Sequence, residues 1–565
     1  MAISNTFSDS ESEIPLLQET VDGAIDFKGR PVLRSASGGW KAAAFIISVE
    51  VAERFAYYGI NSNLINYLTG PLGQSTVTAA ENVNIWSGTA SLFPLIIAFL
   101  ADSVIGRYRT IIIATLVYIL GLSLLTLSAI LPVTKSEGQV AGFEPQVILF
   151  FFSLYLVALA QGGHKPCVQA FGADQFDINH PEERKARSSF FNWWYFAFSA
   201  GLFVTLSILN YVQDNMGWVL GFGIPCIVMI IALAIFSLGT WTYRFSIQGD
   251  ERGPFLRIGR VFIVAVKNWR TTPSTITSEE EACGNLPHQG SEQFSFLNKA
   301  LIASDGSKEE GKVCSVTEIE EAKAVLRLFP IWATSLIYAV VFAQSSTFFT
   351  KQGVTMDREV FSGFYVPPAS LQSFISLSIV LFIPIYDRII VPIARAFTGK
   401  PSGITMLQRI GIGMFLSITS MVIASFVEMK RLTVARDNGL IDMPNVTIPM
   451  SIWWLIPQYV LFGVADVFTM VGLQEFFYDQ VPAELRSVGL ALYLSIFGVG
   501  SFLSSFLISA IEEVTGGDGH DSWFSSNLNR AHLDYFYAIL AALSAVGLSA
   551  FWFCSKSYVY KRSSS

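Results

Sequence analysis

"ISVEVAERFAYYGI", residues 47–60, lies inside an apolar run (42–68) long enough to cross a bilayer, yet it carries Glu50, Glu53 and Arg54. A membrane-spanning helix takes about 20 predominantly apolar residues. An ionisable group at its centre costs roughly 2.5–3.5 kcal/mol on insertion scales. At about 100° per residue, Glu53 falls about 60° to one side of Glu50 and Arg54 about 40° to the other. The three charges therefore share one face. Arg54 keeps its proton and holds a carboxylate ionised beside it, so the second carboxylate is placed to load and release a proton. A permanent salt bridge is the alternative use, but buried pairs add little net stability.

The rest of the chain has the composition of a polytopic membrane protein. It is 565 residues long, 52% hydrophobic and 14% charged, against about 25% charged in a soluble domain. Its mean hydropathy is +0.48. The net charge of −7 is spread over loops and argues for no nucleic-acid partner. The five cysteines have neither metal nor redox spacing, and nothing in the chain forms a nucleophile elbow or a phosphate loop. No enzyme, metal or cofactor is expected.

Further apolar runs follow near 83–101, 110–131, 146–168, 189–212 and 218–240, then near 325–349, 368–390, 404–427, 450–473, 487–511 and 533–554. The expected class is all-α, with twelve transmembrane helices in two six-helix bundles, 41–240 and 324–555. The divider, 241–323, includes the polar "TPSTITSEEEACGNLPHQGSEQ" and the amphipathic, basic "FLRIGRVFIVAVKNWR" (255–270), which suits a membrane surface. Residues 1–40 are polar, lack the apolar core of a signal peptide and read as a mostly disordered tail; 556–565 form a second tail.

Basic residues set the orientation. Arg107, Arg109, Arg184, Lys185, Arg187, Arg388, Arg395, Lys400 and Arg486 fall in connections on the side of the N-terminus, placing both termini in the cytosol. Lys430, Arg431 and Arg436 break the pattern in the 428–449 connection. Asn445-Val446-Thr447 there is a glycosylation acceptor, usable on the opposite side.

Motifs narrow the fold. "FLADSVIGRYRT" (99–110) places Asp102, Gly106 and Arg107 after the second span and is similar to the major facilitator loop signature D-x-x-x-G-R. It reads as a structural latch between conformations. "ALAQGGHKPCVQAFGADQFD" (158–177), "FFNWWYFAFSAG" (190–201), the E-x-x-E-R of the opening stretch, "LFPIWATSLIYAVVFAQSSTFF" (328–349) and "LIPQYVLFGVADVFTMVGLQEFFYDQVP" (455–482) together resemble the plant nitrate and peptide transporter family, the proton-coupled oligopeptide branch of the major facilitator superfamily. The 190–201 element departs from that pattern, with Phe198 and Ser199 where Ile-Asn is usual. From about residue 26 the resemblance covers nearly the whole chain.

The resemblance implies alternating access with the site between the halves. It ties Glu50, Glu53 and Arg54 to proton coupling, with protons as the coupling ion. It puts Lys165 in the substrate cavity, pairing with an acid on the tenth helix, here Asp466 where relatives carry Glu. Tyr57, Tyr58, Phe342, Gln344 and Ser346 join the expected cavity. Phe342 stands where some members have a nitrate-binding histidine, and Gln344, Ser345 and Ser346 offer neutral hydrogen-bonding groups. His164 reads as a satisfied polar contact and Glu475 as a structural acid.

The expected activity is proton-coupled symport of nitrate or a small organic solute. The alternatives are a peptide, hormone or specialised-metabolite carrier, and a nutrient sensor or scaffold with incidental transport. The polar tail and central loop offer sites for kinases. "ESEIPLLQE" (11–19), with Leu16 and Leu17, is similar to acidic dileucine signals for the vacuolar membrane; the plasma membrane is the alternative.

Overall fold

A computed structural model describes residues 20–101, 105–131, 145–177, 180–246, 254–269, 294–301, 314–399, 404–482, 485–516 and 522–558. Leu16, Leu17 and Asp102 lie outside the described residues. Twelve long helices carry the architecture. The first half comprises α1 (Gly39–Asn61), α2 (Thr76–Leu100), α3 (Arg107–Ile130), α4 (Pro145–Ala173), α5 (Pro181–Val204) and α6 (Trp218–Leu238). The second comprises α7 (Val316–Phe342), α8 (Ser373–Ile385), α9 (Met406–Asp437), α10 (Ile456–Asp479), α11 (Arg486–Thr515) and α12 (Leu533–Lys556). Ten of these, with their short extensions, are long and apolar enough to cross a membrane. The other two are α1, with its three charges, and α5, whose first turns read "PEERKAR". The side on which α1 begins and α12 ends is called the terminal side below, and the opposite one the far side.

The halves meet mainly where α2 crosses α11. There a Cβ added to Gly88 would sit 3.0 Å from the Gly498 carbonyl oxygen, and one on Gly498 would sit 3.2 Å from that of Gly88. Glycine at both positions lets the two backbones touch. On the far side further bonds join the halves. Lys351 donates to Thr69 (2.9 Å), Gln372 to the Ser62 carbonyl (3.0 Å), and Arg358 lies 3.6 Å from Asp214. Asn84 donates across to Ser504 of α11 at 3.0 Å, where Gln344 of the same half also donates at 3.0 Å.

Three differences from the sequence reading have physical causes. The first concerns the tail, which is ordered from Thr20. β1 (Thr20–Ile25) and β2 (Pro31–Leu33) pair antiparallel around a turn, and β3 (Phe245–Ser246), beyond α6, joins the other edge of β1. Asp26 makes the turn by accepting from the N–H groups of Lys28 and Arg30 at 2.8 and 2.9 Å. Arg244 then ties this strap down, donating to the Ser37 carbonyl and to Glu183, each at 2.7 Å. Arg34 reaches Asp177 at 2.9 Å and Glu183 at 3.2 Å.

The second difference is at the divider. α7 begins at Val316 rather than 324, because Ser315 and Glu318 form a reciprocal capping box. Ahead of it, helix Pro254–Lys267 buries Ile258, Val261 and Ala265 against Leu297, Ala300, Ile319 and Ala322. The amphipathic stretch thus packs one face on the second half and leaves Ile263 and Val266 exposed.

The third explains the basic 428–449 connection. α9 continues to Asp437, and Arg431 is fully buried. It donates to Glu428 through Nε (2.8 Å) and Nη2 (2.6 Å), to Asn529 (3.0 Å), to Thr355 (3.1 Å) and to the Leu528 carbonyl (2.6 Å). Its charge is neutralised within the fold and carries no weight for orientation. Asn445 is exposed in the turn beyond α9.

Two outcomes follow for stability. Removing one partner of a buried pair costs about 3–5 kcal/mol, whereas replacing both with apolar groups is often tolerated. Arg431→Met is therefore expected to lower the melting temperature of the purified protein sharply, and Arg431→Met with Glu428→Leu to recover much of the loss. For the strap, burial opposes ionisation of Glu183, but Arg244, the Asp177 N–H and Arg34 together hold its carboxyl below the usual range. Such a group stabilises above its unfolded value, about pH 4.3, and its contribution is lost as pH falls through the lower folded value. Hydrogen exchange across Thr20–Leu33 should show protection at pH 7 and loss of it in Arg244→Gln protein, with the wild type weakening only below about pH 4.

Candidate functional site

α1 delivers its three charges to one place. Arg54 Nε donates to Glu50 Oε1 at 2.8 Å and lies 3.3 Å from Glu53 Oε2. All three side chains are buried, Glu53 completely. Two neighbouring helices close around them. From α3, the Tyr118 hydroxyl reaches Glu53 Oε1 at 3.5 Å. From α5, the Phe198 ring lies 5.3 Å from the Arg54 guanidinium carbon, a cation–π contact. Phe198, which departs from the family pattern, thus covers a charge. Glu50 Oε2 and Glu53 Oε2 have no hydrogen-bond donor among the described residues.

On α4, His164 is fully buried and its Nε2 meets Thr115 Oγ1 of α3 at 2.8 Å. Thr115 already donates to the Ile111 carbonyl at 2.7 Å, so it accepts from His164, which assigns the proton to Nε2. His164 thus tethers α4 to α3 through Nε2, while its Nδ1 has no hydrogen-bond partner among the described residues. The next residue, Lys165, is partly exposed, lies within the electrostatic reach of Glu53 and Glu50, and has no carboxylate within ion-pair distance among the described residues.

The second half presents aromatic groups. Asp466 of α10 is buried and accepts a hydrogen bond from the Tyr338 hydroxyl of α7. Lys165 and Asp466, expected to pair, are therefore unpaired with each other in this structure, and a tyrosine on a neighbouring helix takes the acid instead. One turn beyond Tyr338, Phe342 packs its ring 6.0 Å from Phe462 and 5.3 Å from Phe497. Tyr338 stacks on the same Phe462 at 6.2 Å.

Several expected cavity residues are engaged elsewhere. Gln344 is fully buried and donates to the Val340 carbonyl (2.8 Å) and to Ser504. Ser346 turns back on the Ala343 carbonyl (3.4 Å) and Ser345 on that of Phe342 (2.9 Å). The 3-10 turn after α7 (Ala343–Ser346) draws these groups into the backbone. Tyr57 is buried and stacks on Trp86 at 5.3 Å, a core contact. Tyr58 keeps partial exposure, meets Phe198 at 6.4 Å and feels the charge of Asp466.

The remaining motif residues sit on the terminal side. Gly106, at φ 84°, precedes α3, and Arg107 lies 2.6 Å from Asp174 at the end of α4. Gln175 accepts from the Arg244 N–H (2.8 Å), and Asp177 pairs with Arg34. "FGADQFD" is therefore a junction joining α3, α6 and the strap. Arg409 and Glu475 (3.2 Å) occupy the equivalent place between α9 and α10. Tyr118, Thr115, Tyr338, Phe462 and Phe497 were not anticipated. Only Tyr338 left a signal, lying four residues before Phe342 and so on its helix face.

Comparison with known proteins bears on the fold and the family. A model described as "PTR2: POT family" matches residues 108–524. Protein NRT1/ PTR FAMILY 5.10 of Arabidopsis thaliana is 63% identical over 555 residues, covering 98% of this chain and 98% of its own. Protein NRT1/ PTR FAMILY 5.13 of the same organism is 58% identical over 553 residues, covering 98% and 99%. Among solved structures, an auto-inhibited POT family peptide transporter has a TM-score of 0.71 at 22% identity, with 93% of this chain and 98% of that chain covered. The POT family transporter PepTSo has a TM-score of 0.70 at 21% identity, with 92% and 98% covered. At these identities the structural likeness speaks for the fold.

Loss of the acceptor for a buried N–H costs about 1–3 kcal/mol. Thr115→Val is expected to lower thermal stability by that order, and Thr115→Ser to restore it, as read by melting in detergent.

Proposed function

The chain belongs to the POT family, a family of membrane transporters and not of enzymes, and from that premise we propose that it is a proton-coupled symporter of nitrate or a small organic solute. It works by alternating access, with both termini in the cytosol, in the vacuolar membrane. The observation that carries the reading is the pair of buried carboxylates sharing one guanidinium. With both acids ionised the cluster holds one net negative charge; one added proton makes it neutral. A buried net charge is costly and a neutral cluster is not, so uptake of a proton changes which conformation the helices around α1 favour. Lys165, within electrostatic reach of the same cluster and without a carboxylate at ion-pair distance among the described residues, supplies positive charge for an anionic solute. In this account Glu50, Glu53 and Arg54 couple the proton, and Lys165 senses both solute and cluster.

The alternation breaks and remakes the far-side bonds of Lys351, Gln372 and Arg358, while Arg107–Asp174 and Arg409–Glu475 hold the terminal ends of each half. At the vacuole the acidic lumen would drive solute into the cytosol. One proton with one nitrate moves no net charge; a second proton would be driven by voltage, at about 2.3 kcal/mol per 100 mV.

Proteoliposomes with an imposed inward proton gradient test the reading. Labelled nitrate uptake is expected to rise with the gradient and to fall to background in Glu53→Gln protein that remains folded. Solute flux insensitive to pH would show a uniporter, and binding without flux would show a sensor; either result removes the symporter.

A further inference from the structure

A cavity opens on the terminal side between the strap and the start of α1. Among the described residues its lining carries three cations, Arg34, Lys41 and Arg244, and one carboxylate, Glu183. Arg34 and Arg244 share that carboxylate, at 3.2 and 2.7 Å. Arg34 also reaches Asp177, yet its Nε is buried without an acceptor among the described residues. Lys41 is exposed in the first turn of α1, a turn that holds no acid. Cations thus outnumber carboxylates on this wall, and donors stay unused.

Ser37 lines the same cavity. Its carbonyl is pinned by Arg244, which donates through Nε at 3.1 Å and Nη2 at 2.7 Å. Its hydroxyl makes one local bond at the surface, to the Leu33 carbonyl at 3.0 Å, which is cheaply given up. Arg30 and Arg34 stand seven and three residues ahead of it. A basic flank of this kind complements an acid-lined peptide groove. A phosphate on serine brings a charge of about −1.5 to −2 at pH 7 and strong acceptor oxygens, which guanidinium groups bind well.

We propose that Ser37 is a phosphorylation site for a serine kinase that reads basic residues ahead of its target, and that Arg34, Lys41 and Arg244 receive the phosphate. The γ-phosphoryl group of ATP passes to Ser37 Oγ. An O–P bond forms, the β–γ anhydride bond breaks, ADP leaves and the hydroxyl proton goes to the kinase's base. The new oxygens supply the acceptors that Arg34 Nε and Lys41 lack, and so tie the strap to the first turn of α1. Because α1 carries Glu50, Glu53 and Arg54, the kinase sets how firmly that helix is held at its terminal end. The proposal rests on the cytosolic placement of the N-terminus and is independent of the solute.

The test incubates the purified full chain in detergent with ATP and a serine kinase that selects Arg three residues before its target. Mass spectrometry then maps the phosphate. Detergent leaves both faces open, so orientation does not enter. We expect Ser37 to be modified stoichiometrically and Ser37→Ala to lose that phosphate. Phosphate on other residues with Ser37 bare overturns the proposal. Hydrogen exchange reads the docking. Amides of Thr20–Leu33 and of the first turns of α1 should exchange about fivefold more slowly in the phosphorylated protein. Lys41→Gln should return the α1 amides towards the unmodified rate while Ser37 remains phosphorylated. Unchanged or faster exchange overturns the proposal. Should either variant not fold, mapping and exchange on the natural protein decide alone. Protease digestion of the N-terminus in sealed vesicles judges the orientation separately; an N-terminus outside the cytosol denies the kinase access and also overturns the proposal.

Discussion

A single guanidinium shared by two carboxylates inside a membrane helix is the constraint around which the first half is arranged. Arg54 cannot shed its charge, and neither acid can be left alone in hydrocarbon. The surrounding choices follow from that. Tyr118 brings a hydroxyl to Glu53, Phe198 lays its ring against the cation, and the small residues Gly162 and Gly163 let α4 approach α2 and α3. A Cβ on Gly162 would lie 2.6 Å from that of Phe93, and one on Gly163 2.8 Å from that of Ala114. His164 and Lys165 are carried into place by the close packing those glycines permit.

Elsewhere the chain neutralises charge close to where it arises. At the terminal ends of the halves, Arg107–Asp174 and Arg409–Glu475 occupy matching positions, at the start of the third helix of each half and the end of the fourth. The repeat of layout that hydropathy suggests is thus also a repeat of ion pairing. Arg431 is treated differently, with every donor of its guanidinium directed to a named acceptor, so that a charge on the far side becomes part of the packing.

Much of this was legible in the sequence, for a physical reason. An apolar run of spanning length is a local property, and ten of the twelve helices carry one; the exceptions are α1, with its three buried charges, and α5, with its charged first turns. The shared face of Glu50, Glu53 and Arg54 followed from helical period alone. What escaped was set by partners remote in the chain. β1 needs β3 from beyond α6, Asp466 takes a hydroxyl from α7, and Gln344 finds Ser504 on α11. No spacing rule connects such residues. Gln344 and Ser346 looked like solute ligands because their polarity was visible and their engagements were not.

In the proposed alternation, the glycine contact between α2 and α11 is placed to act as a fulcrum. From Gly498 to the far end of α11 is about 25 Å of helix at 1.5 Å per residue, so a turn of about ten degrees at the crossing swings that end through about 4 Å. Such a swing parts hydrogen bonds of 3 Å without unwinding any helix. If the crossing is the pivot, bulk added there would stiffen the whole lever while leaving the site chemically intact. Turnover and affinity are thereby placed under separate control, one by the size of two residues and the other by the groups around Arg54.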